Sequence, residues 1–368
     1  MANSLLHIVE RIKAAASAGT PLRIRGGGTK DFYGQSLQGE ILDTTGLNGI
    51  TSYEPSELVV TVKAGTPLAE LEAALAEKNQ CLPFEPPHFS TGTTVGGMVA
   101  AGLSGPSRAS SGSVKDFVLG VNMVNGKGEE LHFGGTVMKN VAGYDVSRLM
   151  AGSMGTLGLI TEVSLKVLPI APAEATLKFE CTQNEALNML NTWGAQPLPL
   201  NASCWIQEAG KGVLYVRLRG AVAAVEAAIH KMGGQLQNAA SGNATVAADW
   251  QALRNQNMDF FKLQDNECLW RLSVPDTAPD LQLGETLVEW HGAQRWVKAP
   301  YNEVDRIRGI VNTVGGSAVV FIATQAINTS ENSVFSPLKA PLDRIHRELK
   351  RQFDPAGIFN RGRMFADM

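Results

Sequence analysis

The sequence predicts an α+β protein of two unlike domains, and three observations carry that prediction. The 368-residue chain is longer than one hydrophobic core commonly organises. Of its 38 glycines, 24 fall within residues 1–160, whereas all six tryptophans follow residue 190. Pro169 and Pro172, in "KVLPIAPAEA", end a strand-like run where the composition changes. We therefore expect a glycine-rich domain over 1–170, a second α+β domain over 171–335, and a C-terminal helix and tail over 336–368.

In chain order, Leu5, Ile8 and Ile12 sit at helical spacing, interrupted by Glu10 and Arg11, which reads as an amphipathic helix rather than a signal peptide. "PLRIR" is a short strand, followed by the loop "GGGTKDFYG". "EILDT" and "LVVTVKAG" are strands. "TPLAELEAALAEKNQ" is a helix with Thr66 as its cap, Pro67 in its first turn and Leu68, Leu71 and Leu75 as its apolar stripe. "FVLGVNMVNGKGEELHF" predicts a hairpin turning at Asn125-Gly126, because Asn-Gly tolerates the positive φ of a type I′ turn. "LGLITEVSLKVL" is a further strand.

The second domain has a different grammar. "ATLKFE" is a strand and "TQNEALNMLNTW" a helix with a Thr182–Glu185 capping box. "ASCWIQ" and "GVLYVRLRG" are strands, "AVAAVEAAIHKMGG" a helix, and "GQLQNA" follows. That order is ferredoxin-like. A second set then appears: "CLWRLSVP", "TLVEWHG", "AQRWVKAP", a helix from about Glu303 to Val314, and "SAVVFIAT". Two α+β units sharing one sheet fit this order. Leu342, Ile345 and Leu349 mark one face of a last helix.

Composition excludes several classes of function. A net charge of −3 without a basic cluster favours neither nucleic acid nor an anionic membrane surface. No apolar run reaches the roughly 18 residues of a membrane span. Cys81, Cys181, Cys204 and Cys268 are far apart, and the six histidines are scattered, so no metal site is expected. The cysteines read as separate reduced thiols of a cytoplasmic protein.

The glycine-rich loops point to chemistry. Bare backbone with free N–H groups can cradle phosphate oxygens. A P-loop is excluded, since Val121 stands where the first glycine of "VNMVNGKG" would be and Gly128 replaces Ser/Thr. A Rossmann fingerprint is excluded too, since Asp31 takes the third glycine position of "GGGTKD" and no helix pattern follows. Two more small-residue stretches follow, "STGTTVGGMVAAGLSGPSRASSGSVKDFVLG" and "KNVAGYDVSRLMAGSMGTLG". Three such loops suit a long phosphate-bearing ligand in a backbone-lined channel, as FAD would need.

With those stretches and the terminal "FDPAGIFNRGRM", the chain resembles flavoproteins of the vanillyl-alcohol-oxidase type. The resemblance covers most of residues 20–168 plus the tail. It implies a PCMH-type, two-subdomain FAD-binding domain, a smaller ferredoxin-like cap, and a tail that returns to the FAD domain. Within that family, "DWQALRN" and "EWHGAQRW" resemble the FAD-binding subunits of bacterial glycolate-oxidising complexes.

By position, the resemblance assigns Arg25, Gly26, Gly27, Gly28, Thr29, Lys30 and Gly34 to the pyrophosphate. Thr93, Thr94, Gly96 and Gly97 would pass under the ribityl chain and flavin, and Ser104, Gly105, Arg108 and Asp116 would continue the channel. Ser153, Gly155, Thr156 and Ile160 would lie along the adenine side or flavin edge, and Asn360 and Arg363 would return to the flavin. A Cβ on Gly26–Gly28 is expected to collide with the diphosphate.

Oxidising a 2-hydroxy acid requires a hydride acceptor, a base for the hydroxyl proton and a cation for the carboxylate. Arginine suits the last role. "EWHGAQRWVKA" offers Arg295 as the clamp and His291 as the base, with Arg271 and Lys298 also available. Competing readings make His291-Gly292 a turn, Arg295 a solvated strand residue and the tryptophans core packing. The resemblance further implies a larger FAD subunit and an iron–sulfur subunit as partners, glycolate or a related 2-hydroxy acid as substrate, and at most peripheral contact with the inner membrane through partners. Two other readings stay open: an assembly subunit that retains FAD while a larger partner catalyses, and a stand-alone flavin oxidase of another alcohol.

Thr29 stands where covalent members carry the flavin-linking histidine, so FAD is expected to be bound without a covalent bond. On acid precipitation the yellow colour should therefore remain in the supernatant; colour in the protein pellet would contradict this.

Overall fold

The computed structural model describes residues 5–136, 145–324, 333–366 and 368. The helix Leu5–Ala18 buries Ile8, Val9, Ile12 and Ala15. That stripe packs on a small core that includes Leu22, Leu42, Leu47 and the tail residues Ile358 and Phe359. Strand β1 (Leu22–Arg25) pairs in parallel with β2 (Glu40–Asp43). The tail joins this pair: Leu22 donates its N–H to Ile358 O at 2.7 Å, and Asn360 donates its own to Leu22 O at 2.9 Å. Residues at opposite ends of the chain thus complete one small sheet.

Beyond it, β3 (Ile50–Glu54) and β4 (Val59–Lys63) lead into the helix Leu68–Ala76. Leu68, Leu71 and Leu75 are all fully buried, as their spacing predicts. Thr66 does not cap this helix; its hydroxyl accepts the Gly49 N–H at 2.9 Å, while Leu68 donates its N–H to Thr93 O at 2.8 Å. A short β5 (Gln80–Cys81) follows, then β6 (Val118–Val124), β7 (Glu130–Gly134) and β8 (Leu159–Lys166). An antiparallel sheet forms in the order β3-β4-β8-β6-β7. The turn between β6 and β7 differs from expectation, because the left-handed residue is Gly128 (φ 75°). The Asn125 side chain accepts the N–H groups of Lys127 and Glu129, which stabilises a longer loop than a two-residue type I′ turn.

β9 (Leu168–Pro169) pairs with β5, and the next strand, β10 (Ala173–Glu180), already belongs to another sheet. The change of sheet therefore falls across the two prolines. β11 (Leu200–Glu208), β12 (Lys211–Gly220) and β13 (Gln235–Gln237) complete the first unit with the helices Gln183–Gly194 and Val222–Met232. The Thr182–Glu185 capping box is present. The second unit contains β14 (Cys268–Ser273), β15 (Thr286–Glu289), β16 (Gln294–Ala299) and β17 (Ser317–Ala323). All eight strands form one antiparallel sheet, β13-β10-β12-β11-β15-β16-β14-β17. Its first four strands carry the ferredoxin-like order 4-1-3-2.

One face of this sheet meets the glycine-rich half through a mixed core. Tyr33 and Leu103 from one side pack with Ile206, Trp296 and Phe321 from the other. Two ion clusters flank that core. Glu85 receives Arg217 on both oxygens at 2.7 Å, Arg219 at 3.2 Å and the Ser107 N–H at 3.1 Å. Glu72 receives Arg254 at 2.5 Å and lies 2.8 Å from His88 Nε2. Burial pushes the Glu85 carboxyl up, but Arg217 and Arg219 outweigh it and hold the group below the usual carboxylate range. Because the Arg217 side chain is only 3% exposed, Glu85→Ala leaves a buried cation unpaired. The variant should lose about 3–5 kcal/mol of stability, read as a lowered urea midpoint.

Candidate functional site

The groove lies where β1 runs into the glycine loop, and it encloses about 820 Å³ open to solvent. Arg25, Gly26, Gly27, Gly28, Thr29 and Lys30 line one wall. Thr94, Gly96 and Gly97, at the start of the helix Val95–Ala101, line the floor, while Gly155, Ile160, Asn360 and Arg363 close the other side. Thirteen of the residues proposed from the sequence thus share one cavity although they span most of the chain.

The glycine loop is held from two directions. Gly26 and Gly27 press against the segment Gly92–Thr94: a Cβ on Gly27 would overlap the Gly92 carbonyl oxygen, and one on Gly26 would overlap the Thr94 hydroxyl. Bareness at these positions is thus already required by the protein's own atoms, the Gly92 main chain at Gly27 and the Thr94 side chain at Gly26. Gly28 is needed for its φ of 70°. Thr29 Oγ1 lies 2.9 Å from Thr93 Oγ1, tying the two loops together. From the other direction, the Arg363 guanidinium donates to the carbonyls of Lys30, Asp31, Tyr33 and Gln35. Burial lowers its pKa to about 10, which leaves it charged near neutrality. Asn360 accepts the Ile24 N–H at 2.8 Å and donates to Met154 O at 2.6 Å. The two tail residues thus act as braces as well as lining.

Lys30 is the group that fits an anionic ligand. Among the described residues its ammonium touches only the Thr29 hydroxyl, at 3.3 Å, and lies 5.5 Å from the Phe89 ring centroid. Among the described residues no carboxylate pairs with it, and burial lowers its pKa from 10.5 to about 8. By contrast, Arg23 and Arg25 both bind Asp31, at 2.5 and 2.9 Å. Ser153 Oγ, buried without a hydrogen-bond partner, is a second group left open.

The remaining sequence-proposed residues lie outside the groove lining. Thr93 supports it through Thr29, and Gly34 (φ 101°) passes beneath Arg363. Ser104 accepts the Val114 N–H at 3.2 Å, and Gly105 offers its carbonyl to the Trp290 indole at 3.0 Å. Asp116 caps its own turn through Ser113, and Thr156 bonds Ser153 O at 2.7 Å. Arg108 stacks 4.4 Å from the Trp290 ring centroid. Of the stretch "KNVAGYDVSRLM", Lys139–Tyr144 fall outside the described residues.

The two catalytic expectations need correction. Arg295 is 1% exposed, and its guanidinium donates to the carbonyls of Ala278, Pro279 and Gly292. It braces a loop behind the sheet and is neither a solvated residue nor a substrate clamp. His291 sits in a tight corner with φ 56°, its ring nitrogens 3.1 Å from Ser203 Oγ and 2.9 Å from Ser110 Oγ. Burial lowers its pKa, and it does not line the groove. The turn reading of His291-Gly292 describes this corner better than the base reading.

Residues 1–147 match a family described as an FAD binding domain. The glycolate oxidase subunit GlcE of Escherichia coli K12 is 44% identical over 98% of this chain and 97% of its own length. This chain belongs to the GlcE family. The glycolate oxidase subunit GlcD of Bacillus subtilis is 31% identical over 43% of the chain and 34% of its own length. A D-lactate dehydrogenase of Anaerostipes hadrus is 39% identical over 36% of the chain and 27% of its own length. The solved structure of an alkyldihydroxyacetonephosphate synthase covers 96% of the chain and 75% of its own, with a TM-score of 0.67 at 16% identity, which shows a shared fold. The cofactor is FAD, and the lining of the groove fits it: bare backbone and a half-buried, unpaired ammonium share one channel.

Two variants separate packing from ligand charge. Gly27→Ala should lower both FAD content and the thermal midpoint of the apoprotein, because its clash is with Gly92. Lys30→Met should weaken FAD binding while leaving the apoprotein at least as stable. In the parent, FAD affinity should fall as pH rises through about 8, where Lys30 loses its proton, and apoprotein stability should rise between about 8 and 10.5. Fluorescence titration of FAD across that range checks the first trend and the urea midpoint of the apoprotein the second, and both should vanish in Lys30→Met.

Proposed function

We propose that this chain is the FAD-binding subunit of a complex that oxidises glycolate, or a related 2-hydroxy acid, to the 2-oxo acid. The full-length 44% identity to GlcE carries the reading, and the anion-ready groove supports it. When bound, FAD supplies the hydride acceptor. The chain's own residues then act on binding and placement: the glycine loop and Lys30 hold anionic oxygens, and Arg363 and Asn360 fix the loop against β1. The mixed aromatic core between the two halves excludes water from one side of the groove.

The partners in this reading are a larger FAD subunit related to GlcD and an iron–sulfur subunit that receives electrons. No group of three metal-ligating side chains occurs among the described residues, and no described helix is long and apolar enough to cross a membrane. The reading places the chain in the cytoplasm, touching the inner membrane only through its partners. The placement of Arg295 and His291 away from the groove favours a second reading, in which this subunit retains FAD and the larger subunit carries the substrate chemistry.

Anaerobic addition of glycolate distinguishes the two. Bleaching of the flavin is expected in the isolated FAD-loaded chain if it oxidises substrate itself. Bleaching only in the co-expressed complex selects the second reading, and no bleaching in either rejects the function.

A further inference from the structure

The neighbours of Lys30 suit it to covalent chemistry as well as to holding an anion. Its half-buried side chain lines the groove, and among the described residues its nitrogen touches only the Thr29 hydroxyl, at 3.3 Å. The charged groups around it are engaged elsewhere. Asp31 is shared by Arg23 and Arg25, and the ring of His88, which precedes Phe89, turns to Glu72. Arg363 spends its guanidinium on the carbonyls of Lys30, Asp31, Tyr33 and Gln35.

The hydroxyl beside Nζ has a fixed role. Thr93 Oγ1 donates to His88 O, so the 2.9 Å contact between the two threonines is donated by Thr29, whose lone pairs are left for Nζ. Phe89 covers another side, with its ring centroid 5.5 Å from Nζ. Its φ of 59° is rare for a bulky residue. The conformation is held next door, where His88 donates its N–H to Asn255 Oδ1 at 3.0 Å and Phe32 packs edge-on to the Phe89 ring, centroids 5.1 Å apart. Strained residues persist where the surroundings over-determine them, and they gather at sites that hold ligands. A lysine set against carbon, with no carboxylate to stabilise its charge, is readily the free amine, the form that adds to carbonyl groups. Burial lowers its pKa to about 8, in keeping with that setting.

We propose that, in the FAD-free chain, Lys30 is a covalent capture site for small anionic aldehydes, which it binds as an imine that shuts FAD out of the groove. The Nζ lone pair attacks the carbonyl carbon and a C–N bond forms. The carbonyl oxygen then leaves as water with the two amine hydrogens, so no oxidant or reductant is needed. The anionic end of the aldehyde lies against the bare main chain of Gly26–Gly28 in the same lining. Glyoxylate, the 2-oxo acid formed from glycolate, is the ligand whose choice rests on the proposed function. A phosphate-bearing aldehyde shares the chemistry without that function. Bound FAD covers the lining, so capture acts on cofactor loading rather than on the loaded chain.

The test uses the full-length chain freed of FAD, incubated with glyoxylate or with pyridoxal 5′-phosphate. Cyanoborohydride reduces any imine to a stable secondary amine, which peptide mass spectrometry locates. At pH 8 the label on Lys30 should exceed that on Lys211 and Lys262, 71% and 77% exposed, at least about tenfold. Its yield should level off above about pH 8, whereas the label on exposed lysines keeps rising. Prior loading with FAD should prevent it. Glyoxylate should lower FAD uptake by the parent, while Lys30→Arg, which keeps the charge without a primary amine, should take up FAD equally with and without glyoxylate. Label on Lys30 no greater than on Lys211 and Lys262, or undiminished by bound FAD, overturns the site. Pyridoxal 5′-phosphate label without glyoxylate label supports it and assigns it to phosphate-bearing aldehydes. Neither label, with glycolate still bleaching the flavin of the complex, overturns the capture site and leaves the functional reading standing. Label without bleaching does the reverse.

Discussion

Main chain pressed on main chain at Gly27 and Gly92 sets the shape of everything around the groove. The two loops that bear much of the groove lining cross so closely that a single Cβ would separate them. Side chains then secure the crossing rather than create it. Thr29 and Thr93 join hydroxyls across it, and Thr94 both meets Gly26 and caps the helix Val95–Ala101 through the Gly97 N–H. The glycines are therefore a packing requirement first. Their exposed N–H groups become available to phosphate as a consequence of the same bareness.

The crossing is stabilised from a distance by charge. The segment after β5 carries Glu85 and His88, and both are held by side chains of the second half: Arg217 and Arg219 grip Glu85, while Arg254 and Asn255 reach Pro86 and His88. Phe89 and Thr93 come next in the chain, the first beside the Lys30 ammonium and the second tied to Thr29 of the glycine loop. Buried ion pairs are weak sources of net stability, yet breaking one is costly, so they suit a role in fixing orientation. At the far end, Lys350 binds Asp354 and the carbonyls of Thr156 and Phe359, which sets the tail so that Asn360 and Arg363 meet β1 and the glycine loop. Loops with little side-chain mass are thus ordered by ionic contacts outside them.

Elements with a clean period were legible in the sequence. Leu68, Leu71 and Leu75, the Thr182–Glu185 box and the two α+β units sharing one sheet all formed as their patterns require. The edge strand Ile50–Glu54 escaped notice because it is half-exposed and lacks apolar alternation. Val95–Ala101 escaped because Gly96 and Gly97 disguise a helix, though Thr94 was a readable cap. Gly96 is needed there because a Cβ would come within 2.6 Å of the Ala64 Cβ. Motif position brought much of the FAD groove together, since backbone-lined sites write themselves as glycine runs. The catalytic expectations failed for a different reason. Arg295 and His291 were chosen by residue type and a nearby tryptophan, and neither property specifies which face of a strand or which side of a turn meets the groove.

Charge balance separates the structural cations from the functional ones more sharply than residue type does. Arg25 and Arg295 look alike in sequence, yet the first shares Asp31 with Arg23 and the second is sealed by three carbonyls. Lys30 instead sits in partly desolvated surroundings with a ring and a hydroxyl for company. Aromatic faces offset only part of the cost of removing a cation from water. A fold that retains such a group beside bare main chain is incomplete in electrostatic terms until an anion enters, and a dinucleotide brings anions of the required kind.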